Sequence, residues 1–447
     1  MSIPNALKLS VFGLGKLGCP MLAVFAESGY HVVGYDIDPA SVEAVNNGKP
    51  PVDEPGLQEL FERNRERFSA TTDVQEAVFQ THASFIIVPT PSGDDAFFLN
   101  DFVVKAVAQI GKALKLKSEY HLVVVTSTVM PGSTEVVIKN TLEKASGREV
   151  GMNLGLCYSP EFIALGTVIH DMQYPDIILV GQSDEKAGDM LEKIMTKVVK
   201  SKPECHRMNF VCAELAKISV NTFVTTKISY ANMIAAMCDG LPGADVNVVT
   251  SAIGCDTRIG RKCLKGATGY GGPCFPRDNK AFSSLGRKLG VGVQLAEATD
   301  AINTNQVQRI AALVQFHVDA GAKVAILGLS YKPDTSVSTE SQSFVVATEL
   351  LQKGFQIVLS DPCCSWCDEL EQLKTKGVLF HRDFNEAVAE ADAILIMTAW
   401  HQYKDLASTL THLCRSEVTV IDPWRIVAET EKLKKVVIPG KQALIVG

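Results

Sequence analysis

One cysteine stands in a turn stiffened by glycine and proline: residues 269–278 read Gly-Tyr-Gly-Gly-Pro-Cys-Phe-Pro-Arg-Asp. A thiolate can attack a carbonyl carbon and hold it as a covalent adduct, provided a bulky ligand can come close. Gly269, Gly271 and Gly272 allow that approach, and Pro273 and Pro276 fix the turn on either side of Cys274. Asp278, four residues on, can reach back over the sulfur. Spacing alone leaves Cys274 open between a nucleophile and an inert core filler, because most lone cysteines are the latter.

A second chemical signal lies near the start. Residues 7–12 form an apolar run that leads into Gly13-Leu14-Gly15-Lys16-Leu17-Gly18, and a helix is expected over 19–28 and a strand over 31–35 before Asp36. The glycine pattern alone is weak, but the preceding strand, the following helix and an acid eighteen residues past Gly18 make a dinucleotide-binding βαβ unit. Pyrophosphate would rest on the helix N-terminus, where free N–H groups and the dipole favour negative charge. Asp36 would hold ribose hydroxyls and repel a 2′-phosphate, so NAD is expected over NADP.

The elements that position these groups follow from periodicity. Further strands of the same type are expected at 84–88, 121–126, 154–158 and 176–180, and the loops Pro89-Thr90-Pro91, Ser127-Thr128-Val129 and Ser159-Pro160-Glu161 stand at strand ends. Such ends line the crevice of an open α/β sheet, although any one of these loops could be an ordinary surface turn. From 210 to 238 a long helix without glycine or proline is expected, with Glu214, Lys217 and Asn221 on one face and an apolar remainder that suggests burial between domains. Lys217 taken alone could equally be a solvated surface charge. A second doubly wound unit is expected from strands at 322–329, 357–360, 393–397 and 418–421 and a helix near 343–351, without a glycine fingerprint for a dinucleotide. The expected fold is therefore α/β, two doubly wound Rossmann-like domains joined by a long central helix.

Composition narrows the function. At 447 residues and 46% hydrophobic content the chain can fill about three domains. A net charge of −7 argues against nucleic acid or an acidic membrane as main partner. No window approaches the ~18 uninterrupted apolar residues of a membrane span, and residues 1–9 read as a first strand, not a signal peptide. Twelve irregularly spaced cysteines suggest reduced thiols and a cytoplasmic location. Cys364-Ser365-Trp366-Cys367 has no second pair at zinc spacing, and the nine histidines form no ligand motif, so no metal is expected.

Together these features resemble the UDP-glucose/GDP-mannose dehydrogenase family of nucleotide-sugar 6-dehydrogenases over nearly the whole chain. The likeness is carried by 269–278, by 13–18 with Asp36, and by Glu54-Pro55-Gly56-Leu57, Ser127-Thr128 and Ser159-Pro160-Glu161-Phe162. It extends through 213–221, Arg258-Ile259-Gly260 and 328–335 around Lys332. The resemblance implies an NAD-binding domain over 1–200, a central helical domain with the cysteine loop over 201–305 and a UDP-sugar-binding domain over 306–447. It also implies a homodimer or higher homo-oligomer built on the middle helix, and a role in supplying uronic acids for polysaccharide synthesis.

The implied reaction takes a UDP-sugar C6 alcohol to the acid with two NAD, through a thiohemiacetal and a thioester on Cys274. Lys217 and Asn221 would steady the C6 oxygen, and Asp278 and Thr128 would handle water and protons with Glu161 beside the thioester. Phe162, Arg258, Tyr270, Gly271, Gly272, Lys332 and Arg425 match substrate-contacting positions. Two departures stand out: Leu165 where many members carry a second glutamate, and Thr339 where an arginine usually meets the cofactor. The Ser-Pro-Glu-Phe loop resembles the glucose type. The alternatives are a UDP-N-acetylhexosamine enzyme, a single-hydride β-hydroxyacid dehydrogenase, which Cys274 argues against, and a catalytically silent nucleotide-sugar sensor.

Overall fold

In the computed structural model, residues 7–364 and 367–441 are described, so residues 1–6 and the Ser365-Trp366 centre of the CxxC stretch lie outside it. The chain divides into two compact units, Met1–Ser219 and Val220–Gly447.

The first unit is built on eight strands. They are β1 (Lys8–Phe12), β2 (His31–Tyr35), β3 (Phe68–Thr71), β4 (Ala83–Ile86), β5 (His121–Val125), β6 (Leu154–Tyr158), β7 (Ile177–Gln182) and β8 (Glu204–Met208). Their order is β3-β2-β1-β4-β5-β6-β7-β8. Alternating residues feed two layers: Leu122 and Val124 pack into the core on one face of the sheet, Val123 and Val125 into the core on the other. Burial on both faces is why these strands are continuous apolar runs. The chain leaves β1 for β2 on one side and returns to β4 on the other, opening a crevice at their C-terminal ends. One expectation needs correction: the strand near 176–180 is not of the same type, since β7 runs antiparallel to β6.

The second unit carries β9 (Lys323–Leu327), β10 (Gln356–Ser360), β11 (Leu379–His381), β12 (Ala393–Ile396), β13 (Thr419–Ile421) and β14 (Lys435–Val437). Its order, β11-β10-β9-β12-β13-β14, repeats the first six strands of the other sheet with every pairing parallel. The repetition reaches single bonds. Gly13 N–H donates to Tyr35 O at 2.8 Å and Gly328 N–H to Ser360 O at 2.7 Å. Leu14 N–H donates to Asp36 and Leu329 N–H to Asp361, each at 2.7 Å. The difference is occupancy. Asp361 is fully buried and also accepts from the backbone N–H groups of Ser330, Cys363 and Cys364, the Cys363 bond matching that of Asp38 to Asp36, while the buried Trp400 indole, which has no counterpart at Asp36, donates to it as well.

A helix over Phe210–Asp239 runs through the division between the units. Its apolar remainder is not buried all round, contrary to expectation. Leu215, Phe223, Tyr230 and Met237, spaced seven or eight residues apart on one side, are exposed, Phe223 by 63%.

Candidate active site

The glycine turn after β1 has the form a dinucleotide needs. Gly13 has φ +101°, and a side chain there would run into Ile87 O, while one on Gly18 would run into the Gly13 carbonyl. Those two glycines serve the tight turn and the close seat of the helix Gly18–Glu27. Gly15 differs, because an added Cβ there meets nothing within 4 Å. Open space beside a helix N-terminus is where a pyrophosphate approaches. Lys16 and Leu17 lead into that helix, with Leu17 as its N-cap. Asp36 accepts from Leu14 N–H at 2.7 Å and Asp38 N–H at 3.0 Å, which holds its carboxylate at the end of β2. These residues fit NAD.

The next strand ends are stitched together. Ser127 Oγ accepts from Val88 N–H at 2.8 Å and donates to Val88 O at 2.7 Å, and Thr90 Oγ1 donates to Thr128 O at 2.8 Å. Pro89-Thr90-Pro91 and Ser127-Thr128 therefore form one rim above β4 and β5. Beyond β6, Lys217 Nζ donates to the Glu161 carbonyl at 2.5 Å and lies 4.3 Å from the Phe162 ring centroid. Glu161 is half-buried as a residue, and loss of hydration at its carboxyl pushes it up to about 7 against the opposing pull of the Lys217 charge. Lys217 is buried, so the solvated-surface reading of it is set aside.

Glu214, one turn earlier, fixes this arrangement. Its fully buried carboxylate accepts from Gly132 N–H at 2.6 Å and Thr134 N–H at 2.7 Å, just past Thr128. Burial raises its carboxyl above the ordinary range, and the bonds from Thr134 and Gly132 pull the other way. The sequence placed it on the functional face without assigning it a role.

In the second unit, Asn221 Nδ2 donates to Asp278 Oδ2 at 2.6 Å, and Arg277 grips the other carboxylate oxygen through Nε at 3.1 Å and Nη2 at 3.0 Å. Asp278 is fully buried. The acid thus sits between the long helix and Arg277, a partner that sequence reasoning missed. Cys274 is exposed and is the N-cap residue of the helix Phe275–Lys288, at the positive end of its dipole. Gly272, at φ +85°, donates its N–H to Thr339 O at 3.0 Å, and the Tyr270 hydroxyl donates to Asp300 at 2.5 Å. Gly271 is packed against the Glu340 carbonyl, and Lys332 stands in the loop after β9. Two expected substrate residues are engaged elsewhere. Arg258 is 87% exposed and paired with Asp256, and Arg425 makes a forked pair with Asp245 at 2.7 and 2.9 Å.

Three domain profiles of one family match the chain in order: the NAD binding domain over residues 7–199, the central domain over 212–305 and the UDP binding domain over 325–429. The chain belongs to the UDP-glucose/GDP-mannose dehydrogenase family. Members similar to it include the UDP-glucose 6-dehydrogenase AglM of Haloferax volcanii, 36% identical over 431 residues, covering 96% of this chain and 99% of that protein. The GDP-mannose 6-dehydrogenase of Azotobacter vinelandii is 30% identical over 413 residues, covering 90% of this chain and 93% of that one. Among solved structures, a UDP-glucose dehydrogenase from Pyrobaculum islandicum superposes with a TM-score of 0.84 at 32% identity, over 98% of this chain and 99% of that one. As a family member the chain is an NAD-dependent nucleotide-sugar 6-dehydrogenase, with its glycine turn and Asp36 inside the matched NAD binding domain. Among the described residues no helix is long and apolar enough to cross a membrane, and no group of three or more His, Cys, Asp or Glu is placed to hold a metal ion.

Proposed function

We propose that the chain oxidises the C6 alcohol of UDP-glucose to the carboxylate of UDP-glucuronate, removing four electrons in two steps. Bound NAD supplies the hydride acceptor for each step. The remaining work belongs to side chains. Lys217 and Asn221, one turn apart on one helix, stabilise negative charge on the C6 oxygen as the first hydride leaves, and the alcohol proton passes to water organised by Asp278 and Thr128. Cys274, as thiolate, adds to the aldehyde carbon and holds it as a thiohemiacetal, whose second hydride loss leaves a thioester. Glu161 deprotonates the water that attacks this thioester; the C–S bond breaks and the thiolate returns.

The observation that carries this reading is the 2.6 Å bond between Asn221 and Asp278, which ties the acid four residues after Cys274 to the long helix. Glucose is favoured by the Ser159-Pro160-Glu161-Phe162 loop and by relatives named for UDP-glucose. Lys332 and Arg258 are assigned to the diphosphate, and Arg425 joins them once its pair with Asp245 opens. A UDP-N-acetylhexosamine is the second reading, favoured by Leu165, which packs against the apolar core where a second carboxylate would otherwise stand. The exposed stripe from Leu215 to Met237 is assigned to a second copy of the chain in a homodimer.

The deciding experiment supplies NAD with UDP-glucose, UDP-N-acetylhexosamines and GDP-mannose in turn and counts products. Two NADH per acid, with no aldehyde captured by hydroxylamine, is expected for UDP-glucose. One NADH per sugar with a carbonyl end product would sink the mechanism. Preference for an N-acetylhexosamine would move the reading to the second sugar. Cys274→Ala should abolish acid formation while NAD still binds.

A further inference from the structure

Residues 266–273 form no helix or strand, yet Ala267, Tyr270 and their neighbours are buried, so their backbone N–H and C=O groups need partners from elsewhere. Side-chain amides provide them. Asn232, from the long helix, accepts from Ala267 N–H at 2.9 Å and donates to Thr268 O at 3.1 Å. Asn303, from the helix Gln294–His317, accepts from Tyr270 N–H at 2.7 Å and donates to Tyr270 O at 3.0 Å. Gln306, on the same helix, donates to Ala267 O at 2.5 Å. A primary amide offers one acceptor and a donor side by side, so each asparagine pairs with the turn as a neighbouring strand would.

Two facts make this more than core filling. Asparagine is a weak helix former and costly to bury unless both amide atoms are bonded; here Asn232 and Asn303 are only 2% and 9% exposed within helices, with both amide atoms bonded to the turn. Moreover, a Cβ on Gly269 would stand 2.5 Å from Asn303 Oδ1 and 2.7 Å from Gln342 Oε1. Two side-chain amides occupy the space a Cβ at 269 would take, so only glycine fits there without displacing them.

We infer that Asn303, seconded by Asn232, is a positioning residue for the reaction: by gripping the backbone of 267–270 it sets where the Cys274 sulfur stands. This rests on Cys274 being the nucleophile proposed above. Nucleophile placement is steep in its effect, with a displacement of about 1 Å costing on the order of 10²-fold in rate.

The test uses full-length Asn303→Asp, which keeps the side-chain volume and the acceptor for Tyr270 N–H but turns the donor into an oxygen facing Tyr270 O. With UDP-glucose, kcat should fall on the order of 10²-fold while KM and NAD affinity stay within about threefold of wild type. The rate of Cys274 alkylation by iodoacetamide, resolved by mass spectrometry, should change too, and that readout needs no substrate. Gly269→Ala strains the same grip from the backbone side; should Asn303→Asp fail to fold, it must show the same signature. Unchanged kcat and alkylation in a folded variant would overturn the inference, as would a kcat loss matched by lost NAD binding and lowered melting temperature. Cys274→Ala is run beside it. Near-normal turnover of that protein refutes the nucleophile itself, whereas an inactive Cys274→Ala with a fully active Asn303→Asp refutes only the role of Asn303.

Discussion

Glu161 is where packing changes what a residue can do. Its carboxyl is raised from 4.5 to about 7, so between those values the folded chain keeps a proton that the unfolded chain has lost. Stability attached to this group is therefore full below the lower value and declines as pH rises through the window to about 7. Glu161→Gln should melt higher than wild type at pH 8 and converge with it near pH 4, by thermal melts across the range. The same shift leaves the base form dominant only above neutrality. Thioester hydrolysis should accelerate with pH across 7, and Glu161→Gln should give a burst of NADH, a slow steady phase and a sugar-acyl mass on Cys274. The identities at this scale were open to a reader of the chain, since Cys274 with Asp278 and Lys217 with Asn221 are four residues apart in sequence. The proton on Glu161 was not, because hydration depends on what folds around it, and neither was the grip of Asn303 on Tyr270, which joins positions 33 residues apart.

Legibility among the elements divided by depth. Every strand inside either sheet was visible as an apolar run, while β3, β8, β11 and β14 went unseen, and all four are sheet edges. An edge strand has one neighbour and partial exposure, so Phe-Ser-Ala-Thr in β3 and Glu-Cys-His-Arg-Met in β8 carry no continuous apolar signal. The long helix was legible from its lack of breakers, though not the side left uncovered. Glu214 fastens it to the turn after Thr128 by two charge-assisted bonds. Glu214→Ala strands two backbone N–H groups and should cost about 3 kcal/mol in urea unfolding. Loss of less than about 0.5 kcal/mol, the level of an ordinary surface change, would show that the loop relaxes to other partners. Asp36 works through an element as well, at the tip of β2. NADP should be a poor substitute for NAD, and Asp36→Ser should narrow the difference in kcat/KM; equal use by wild type would misplace the ribose.

For the molecule as a whole, the uncovered stripe of the long helix bears on assembly. Phe223 and Tyr230 lie seven residues apart at its middle, and charging both, as Phe223→Glu with Tyr230→Glu, should break the proposed dimer and leave monomer in sedimentation. An unchanged oligomer would move the contact to another surface. The two sheets share a layout that periodicity could show, whereas the filling of the second turn by Trp400 depends on a side chain arriving 39 residues after the aspartate it bonds. That plug has a kinetic meaning. With the ground beside Asp361 taken up by Trp400, the proposed two oxidations of one sugar would both draw on the turn at Gly13–Gly18, so spent cofactor would leave and fresh cofactor enter while the half-oxidised sugar waits on the sulfur. On that mechanism reduced and oxidised nicotinamide would queue for one berth in mid-reaction, and the ratio between them in the surrounding pool would set how long each intermediate is held.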